Sequence, residues 1–250
     1  MLTEERHFLI LSLLKEKQTV KLQELVEHLQ ASESTVRRDL IQLEEQNQLK
    51  RVHGGAALLQ RKGFEPTVIE KIARQPAEKQ KIGKAAASFI EDGDCIYLDA
   101  GTTTSCMIPH LEGKRITVIT NGLMHIAPLM TAGIKTIIVG GQLKESTNAI
   151  VGSMAVRFLS QYRFDKCFLG MNGIHPEIGF TTPDPEEAVM KSIALSLSNE
   201  CFVLADSSKL QEVTFSKVAE VSSAVIITDE NNDSSLEPYI NLAKVKVVTA

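Results

Sequence analysis

Asp99-Ala100-Gly101-Thr102-Thr103-Thr104 joins a carboxylate, a glycine and three consecutive hydroxyls, a set suited to holding an oxyanion. Glycine lets the backbone approach a ligand closely, and amides that open a helix just after it aim their N–H groups at negative charge. Four more polar or glycine-rich stretches follow apolar runs in the same way: Thr120-Asn121-Gly122, Gly140-Gly141, Gly170-Met171-Asn172-Gly173 and Asp206-Ser207-Ser208-Lys209. Singly, each has an ordinary reading, turns for Gly140 and Gly141 and a helix cap for Asn121. Asp184 before Pro185 reads as an N-cap with proline at the first helical position, and Glu186 and Glu187 suit the first turn. Lys191 and Lys209 are candidate counter-charges for an anion. Lys191 lies one turn beyond Glu187, so a surface pair between the two is the alternative.

The elements that must position these residues are short, largely β-branched runs at Cys95–Leu98, Ile116–Ile119, Thr136–Val139, Cys167–Leu169, Cys201–Leu204, Ala224–Ile227 and Val245–Val248. Helical stretches separate most of them; one carries Ile82, Ala86, Phe89 and Ile90 ahead of the first run. Alternation of this kind predicts an α/β domain with a parallel sheet covered by helices on both faces. Open parallel sheets bind ligands beyond the carboxyl ends of their strands, where the polar stretches gather. An anionic small molecule is the expected ligand, with Gly101, Thr102, Thr103, Thr104, Gly141, Asn172, Lys191 and Lys209 among the candidate contacts.

The N-terminal segment has a different pattern. A first helix is expected from an N-cap at Thr3, with Glu4 and Glu5 in its first turn and an apolar stripe of Leu9, Ile10, Leu13 and Leu14. A second, near Leu22–Gln30, buries Leu22, Leu25, Val26 and Leu29. Ser32 caps a third, in which Val36, Leu40 and Leu43 face inward while Ser34, Thr35, Arg37 and Arg38 face outward. Lys50, Arg51 and His53 follow on a ribbon that Gly54-Gly55 bends tightly. A helix-turn-helix reads base edges from the N-terminal half of such a helix, and ribbon cations reach the flanking phosphates. Candidate DNA contacts are therefore Ser32, Ser34, Thr35, Arg37, Arg38, Lys50, Arg51 and His53. An amphipathic three-helix module for protein contact is the competing reading. Charge does not decide between them: residues 1–62 carry 10 Lys+Arg against 9 Asp+Glu, although over residues 37–62 Arg37, Arg38, Lys50, Arg51, Arg61 and Lys62 stand against Asp39, Glu44 and Glu45 around the candidate contact surface.

The 250 residues accommodate one small module and one full domain, divided as 1–57 and 77–250 around a boundary segment 58–76 that carries Pro66 and Pro76. Part of that segment is expected to pack through Val68 and Ile69. A net charge of −4 excludes a general nucleic-acid coat protein, whose basic excess would run through the chain. No run is apolar and long enough to span a bilayer and no signal segment opens the chain, so a cytoplasmic location is expected. Cys95, Cys106, Cys167 and Cys201 lack a CxxC pair or a matched histidine cluster, which points to free thiols rather than disulfides or a metal.

The Ser32–Ala56 segment, the Asp-Ala-Gly-Thr-Thr motif and the Asp-Ser-Ser-Lys motif together resemble the DeoR family of bacterial transcriptional regulators, over essentially the whole chain. Tyr162-Arg163-Phe164-Asp165-Lys166 and Gly179-Phe180-Thr181-Thr182-Pro183-Asp184-Pro185-Glu186-Glu187-Ala188 are most similar to the members that control fructose operons. The resemblance implies a winged helix-turn-helix domain followed by a Rossmann-like sensor domain similar to ribose-5-phosphate isomerase. It also implies a homo-oligomer, dimer or tetramer, that represses sugar-uptake genes by binding operator DNA and is released by a sugar phosphate, fructose 1-phosphate. The family's effector contacts fall here on Asp99, Thr102, Thr103, Asn121, Glu187, Lys191 and Lys209. No cofactor or metal is implied.

Likeness to an isomerase raises a second possibility, an enzyme with an appended DNA-binding module. Phosphosugar isomerases need a carboxylate base beside the reacting carbon. Asn172 stands in the approximate place of an isomerase acid and cannot accept a proton as a base, whereas Glu187 still could. The expectation is no isomerase activity.

Overall fold

The computed structural model describes residues 2–17, 19–46, 48–52, 54–58, 62–229 and 236–248, in two compact units, Met1–Arg61 and Lys62–Ala250. In the first unit, α1 (Thr3–Lys17), β1 (Thr19–Lys21), α2 (Leu22–Leu29), α3 (Glu33–Glu45), β2 (Leu49–Val52) and β3 (Gly55–Leu58) follow in order. Helical spacing gathers Ile10, Leu14, Leu25, Leu29, Val36, Leu40 and Leu43 into one core, closed by Val20, Leu49 and Ala56 from the sheet. The sheet has the order β1-β3-β2 and is antiparallel.

Thr3 is the first helical residue rather than the cap; the Leu2 N–H instead donates to Glu5 Oε2 at 2.8 Å. Gly54 supplies the bend with φ +80°, but Gly55 has another role. A Cβ there would lie 2.1 Å from the Val20 carbonyl oxygen, so β3 can lie against β1 only with glycine at that position. Asp39, which by charge alone counted against the basic surface, is 2 % exposed and takes two bonds from Arg6, Nε at 2.6 Å and Nη2 at 2.9 Å. This pair ties α1 to α3. Arg6→Ala strands a buried carboxylate and is expected to lower the stability of the first unit by about 3 kcal/mol in chemical denaturation. A loss below about 1 kcal/mol would mean that His7, whose Nε2 lies 3.4 Å from Asp39 Oδ1, takes over the charge.

The second unit opens with α4 (Val68–Ala73) and α5 (Pro76–Ala87), then β4 (Cys95–Leu98), α6 (Thr102–Ser105), β5 (Thr117–Thr120), α7 (Ile126–Thr131) and β6 (Lys135–Ile138). A hairpin of β7 (Gln142–Lys144) and β8 (Ala149–Val151) leads to α8 (Ser153–Leu159) and β9 (Phe164–Gly170). Next come β10 (Gly173–His175), β11 (Gly179–Thr182), α9 (Pro185–Ser196), β12 (Ser198–Leu204) and β13 (Ser216–Ala219). β14 (Val225–Asp229), α10 (Glu237–Ile240) and β15 (Val245–Val248) complete it.

Seven strands form one parallel sheet, in the order β15-β14-β12-β9-β4-β5-β6. Successive residues point to opposite faces, which gives two cores. Ile96, Leu98, Phe168, Phe202, Leu204 and Ile227 pack with Ile82 and Ala86 of α5 and Leu129 of α7. Tyr97, Cys167, Leu169, Val203 and Ile226 pack with Ala155 of α8 and Ala188 and Met190 of α9. Successive strands proceed outward from β4 through β5 to β6, then from β9 the opposite way. The direction of winding therefore switches between β4 and β9.

The antiparallel sheet β10-β11-β13 and the β7–β8 hairpin are additions to the parallel scheme. Of the boundary segment expected over 58–76, Leu58 ends β3, residues 59–61 lie outside the described residues, and residues 62–76 fall within the second unit. Thr67 and Glu70 form a reciprocal capping box, and the Val68 N–H donates to the Ser146 carbonyl at 3.0 Å. Val68 is half-buried but Ile69 is 80 % exposed, because so short a helix offers only one face to its support.

Candidate nucleic-acid interface and ligand cleft

Ser32 caps α3 as the spacing predicts, its Oγ accepting the Thr35 N–H at 3.2 Å and lying 2.9 and 2.8 Å from the hydroxyls of Ser34 and Thr35. Ser32 therefore organises the helix start, while Ser34, Arg37 and Arg38 are exposed and Thr35 half-exposed beside it. Arg37 bonds Glu33 through Nε at 2.9 Å and Nη2 at 2.6 Å. Among the described residues Arg38 has no carboxylate partner. Lys50 and Arg51 are consecutive on β2 and so leave its two faces. The Arg51 N–H donates to Glu44 Oε1 at 2.8 Å and its Nε lies 3.4 Å from Glu44 Oε2, which draws that side chain back over α3. His53 lies outside the described residues.

A candidate ligand cleft of the second unit stands at the switch between β4 and β9. Asp99 Oδ2 accepts the Gly170 N–H at 3.1 Å, stitching the ends of the two strands together. Lys191 bonds the same oxygen, and both side chains are buried, so the surface-pair alternative for Lys191 fails. Burial alone would lower the Lys191 ammonium, but Asp99 and Glu187 outweigh it and hold the group above its ordinary value. Lys191 lines the cleft, while Asp99 lies beneath its wall.

Two lobes share a waist of Lys71, Lys79, Ala100, Gly101 and Thr102. The smaller, ≈ 60 Å³, is bounded by Thr103, Asn172, Glu187, Lys191, Asp206, Arg74 and Lys209. The larger, ≈ 260 Å³, has apolar walls from Val68, Ile72 and Met124, with Gly122, His125, Thr147 and Asn148. Lys79 is 5 % exposed and donates to the Lys71 carbonyl; burial pulls its ammonium down, as it does that of Lys209, which Asp206 partly opposes. No carboxylate ion-pairs with Arg74, Lys79 or Lys209 among the described residues. Asp206 caps the turn Ser207–Lys209, and Asp229 accepts from the Ser207 N–H at 2.6 Å and its hydroxyl at 3.0 Å, which fixes the loop that presents Lys209.

Three expected contacts have other duties. Thr104 is fully buried, its hydroxyl donating to the Asp99 carbonyl at 2.7 Å and lying 2.9 Å from that of Gly101. Asn121 is a clamp: Oδ1 accepts the Ala100 N–H at 2.8 Å and Nδ2 donates to the Ile150 carbonyl at 3.1 Å. Gly141 lines neither lobe. A Cβ there would lie 2.7 Å from the Val151 carbonyl, so close packing requires its smallness. Asp184 caps α9 through the Glu186 and Glu187 N–H groups at 2.8 and 2.9 Å, in keeping with its ordinary reading.

Glu187 faces the smaller lobe with Oε1 accepting from Thr147 Oγ1 at 2.7 Å and Lys144 Nζ at 3.0 Å. Burial would raise its carboxyl, yet Lys191, Lys144 and Thr147 bring it below the ordinary value, which makes it a weak base. Asn172 Oδ1 accepts the Thr182 hydroxyl at 3.1 Å and its Nδ2 donates to Glu65 Oε1 at 3.4 Å, while the residue lines the smaller lobe. Lys71, Arg74, Lys79 and His125 were not among the expected contacts. The first three do leave a signal, since cations recur across Pro76 just ahead of the first strand. His125, with Nδ1 2.9 Å from Thr120 Oγ1, has its pKa lowered to about 4 by burial, and nothing in the sequence marks it.

No helix among the described residues is long and apolar enough to cross a membrane. Residues 6–62 match the family model of the DeoR-like helix-turn-helix domain, and residues 74–230 that of the DeoR C terminal sensor domain. Over 99 % of both chains this protein is 49 % identical to the uncharacterized HTH-type transcriptional regulator FruR of Bacillus subtilis. It is 37 % identical to the HTH-type transcriptional repressor GlcR of the same organism, covering 92 % of this chain and 89 % of that one. Identity to the lactose phosphotransferase system repressor of Staphylococcus epidermidis is also 37 %, over 93 % and 96 % of the two chains. Among solved structures, ribose 5-phosphate isomerase A from Methanocaldococcus jannaschii is similar over 52 % of each chain, with 22 % identity and a TM-score of 0.39. With the helix-turn-helix and sensor domains matched in chain order and nearly end to end, this protein belongs to the DeoR family of transcriptional regulators.

Proposed function

We propose that this regulator represses genes of sugar uptake and catabolism and leaves its operator when a sugar phosphate, fructose 1-phosphate, binds the cleft. The observation that carries this reading is the cluster of Arg74, Lys79 and Lys209 around Thr102 and Thr103 at the switch point of the sheet. Three cations without ion-pair partners among the described residues suit a dianionic phosphate, and their full or partial burial strengthens the contacts. Glu187 and Asn172, which line the same lobe, suit sugar hydroxyls. Two relatives named as repressors support the sign of regulation, and the likeness to FruR supports the choice of fructose.

On DNA, two or more copies of α3 set Ser34, Thr35, Arg37 and Arg38 nearest the bases, with Lys50 and Arg51 on the backbone. Ligand binding favours an arrangement whose half-sites no longer match, and the operator is released. Fluorescence anisotropy of a labelled duplex from the gene's own upstream region tests this, with and without fructose 1-phosphate. Tight binding released by that ligand is expected; binding indifferent to every sugar phosphate would overturn the proposal. Thr103→Ala should keep operator affinity while weakening the ligand roughly tenfold, as for loss of one hydrogen bond to a charged group. Loss of both activities with the fold intact would contradict separate DNA and ligand sites.

A further inference from the structure

Resting on the anion site proposed above, we infer that Glu65 is a built-in competitor for the ligand: its carboxylate holds Lys71, a donor that a phosphate monoester takes over. The side chain is only 9 % exposed although it stands on the segment leading into α4. Three donors surround it: Lys71 Nζ in direct contact, Lys144 Nζ at 3.1 Å and Asn172 Nδ2 at 3.4 Å. Two of these, Lys71 and Asn172, also line the cleft, and Lys71 stands at the waist common to both lobes. A carboxylate from the protein is thus bound by groups that line the proposed ligand site, Lys71 sharing the waist with Lys79 and Thr102 of the anion cluster.

The three donors are not equivalent. Lys144 also bonds Asp184 at 3.0 Å and Glu187 at 3.0 Å, so it stays neutralised whatever Glu65 does. Burial would lower its ammonium, but Glu187 and Glu65 outweigh that and keep it firmly charged. Lys71 is 22 % exposed and its ion pair is with Glu65. A flexible lysine with one carboxylate partner among the described residues can turn to a doubly charged phosphate, which attracts it more strongly than a carboxylate does. Ligand binding then leaves Glu65 held by Lys144 and the weak amide contact alone.

The consequence falls on a particular stretch of chain. Residues 62–67 lead directly out of the DNA-binding unit, and Pro66 among them lines the smaller lobe. They are pinned at one end by the Phe215 N–H to the Lys62 carbonyl at 3.0 Å and at the other by Val68 to Ser146. Glu65 is the ion-paired anchor between these two points. Exchange of its partner for a ligand therefore loosens this stretch from inside the cleft, with no contact to DNA required.

Calorimetric titration of the full-length protein and of Glu65→Gln, with inorganic phosphate and separately with fructose 1-phosphate, tests the inference. Glutamine keeps the size and removes the competing charge, so both anions are expected to bind the variant roughly three- to tenfold more tightly. In the unmodified protein, saturating ligand should speed hydrogen exchange of the amides of residues 64–72. Fructose 1-phosphate binding that Glu65→Gln leaves unchanged or weakens would overturn this inference alone, because Glu65 would then position Lys71 for the ligand. Phosphate binding that the variant tightens, with fructose 1-phosphate ignored, would support the inference and overturn the proposed effector.

Discussion

Lys191→Met is expected to destabilise the second unit by about 3–5 kcal/mol, because it leaves the Asp99 carboxylate buried without its cation. Asp99 is 1 % exposed and its remaining donor is the Gly170 amide, so no solvent can replace the ammonium. For a unit of this size the loss corresponds to a fall of about 10 °C in the thermal midpoint. Because Asp99 joins the ends of β4 and β9, the damage centres on the wall that carries Gly101–Thr103, and sugar-phosphate binding should fall with stability. Adding Asp99→Asn to the variant removes the stranded charge and should restore part of the loss, which distinguishes electrostatics from simple loss of packing. Scanning calorimetry of the single and double variants is the measurement. Equal midpoints for Lys191→Met and the unmodified protein would show that the pair does not hold the strand ends together.

Arg38→Ala is expected to weaken operator binding by roughly 10- to 100-fold for each recognition helix engaged, the range for one bidentate base contact. Arg37→Ala should cost less, although the two residues are adjacent and of one type. Arg37 must first leave Glu33, which both its Nε and Nη2 engage, and that exchange offsets part of what a DNA contact gains. Anisotropy titrations over a series of salt concentrations separate the two roles. A side chain that reads a base changes affinity and sequence preference, whereas one on a phosphate lowers the salt slope by about one. A larger loss at Arg37 than at Arg38 would mean that Glu33 does not hold Arg37 back and that the helix meets DNA by its other edge.

Much of this architecture was legible because it depends on local spacing. Ile10, Leu14, Leu25, Leu29, Val36, Leu40 and Leu43 recur at helical intervals, and a helix has only one face to bury, so the core of the first unit follows from their positions. The caps at Ser32 and Asp184 follow likewise, since a side-chain oxygen can reach an amide two or three residues on wherever the helix begins. Seven apolar runs became seven parallel strands, their ends shifted by a few residues.

Tertiary structure decided what the sequence left open, above all which of two directions a side chain takes. Thr103 and Thr104 are neighbours of identical chemistry, yet one lines the cleft and the other turns under the loop to bond Asp99 and Gly101 backbone oxygens. Asp99 and Asn121 look like ligand contacts because they follow strands, but each is drawn inward by backbone groups of a neighbouring strand or loop that spacing does not place. Lys71, Arg74 and Lys79 reach the cleft only because the strand order puts the switch point between β4 and β9, with α4 and α5 beside it. The sequence by itself determined a DNA-reading helix unit followed by a parallel α/β sensor, because period and capping are short-range properties of the chain. The composition of the proposed anion site was decided by the fold, because it depends on which strands become neighbours, and that is fixed by long-range burial rather than by any local interval.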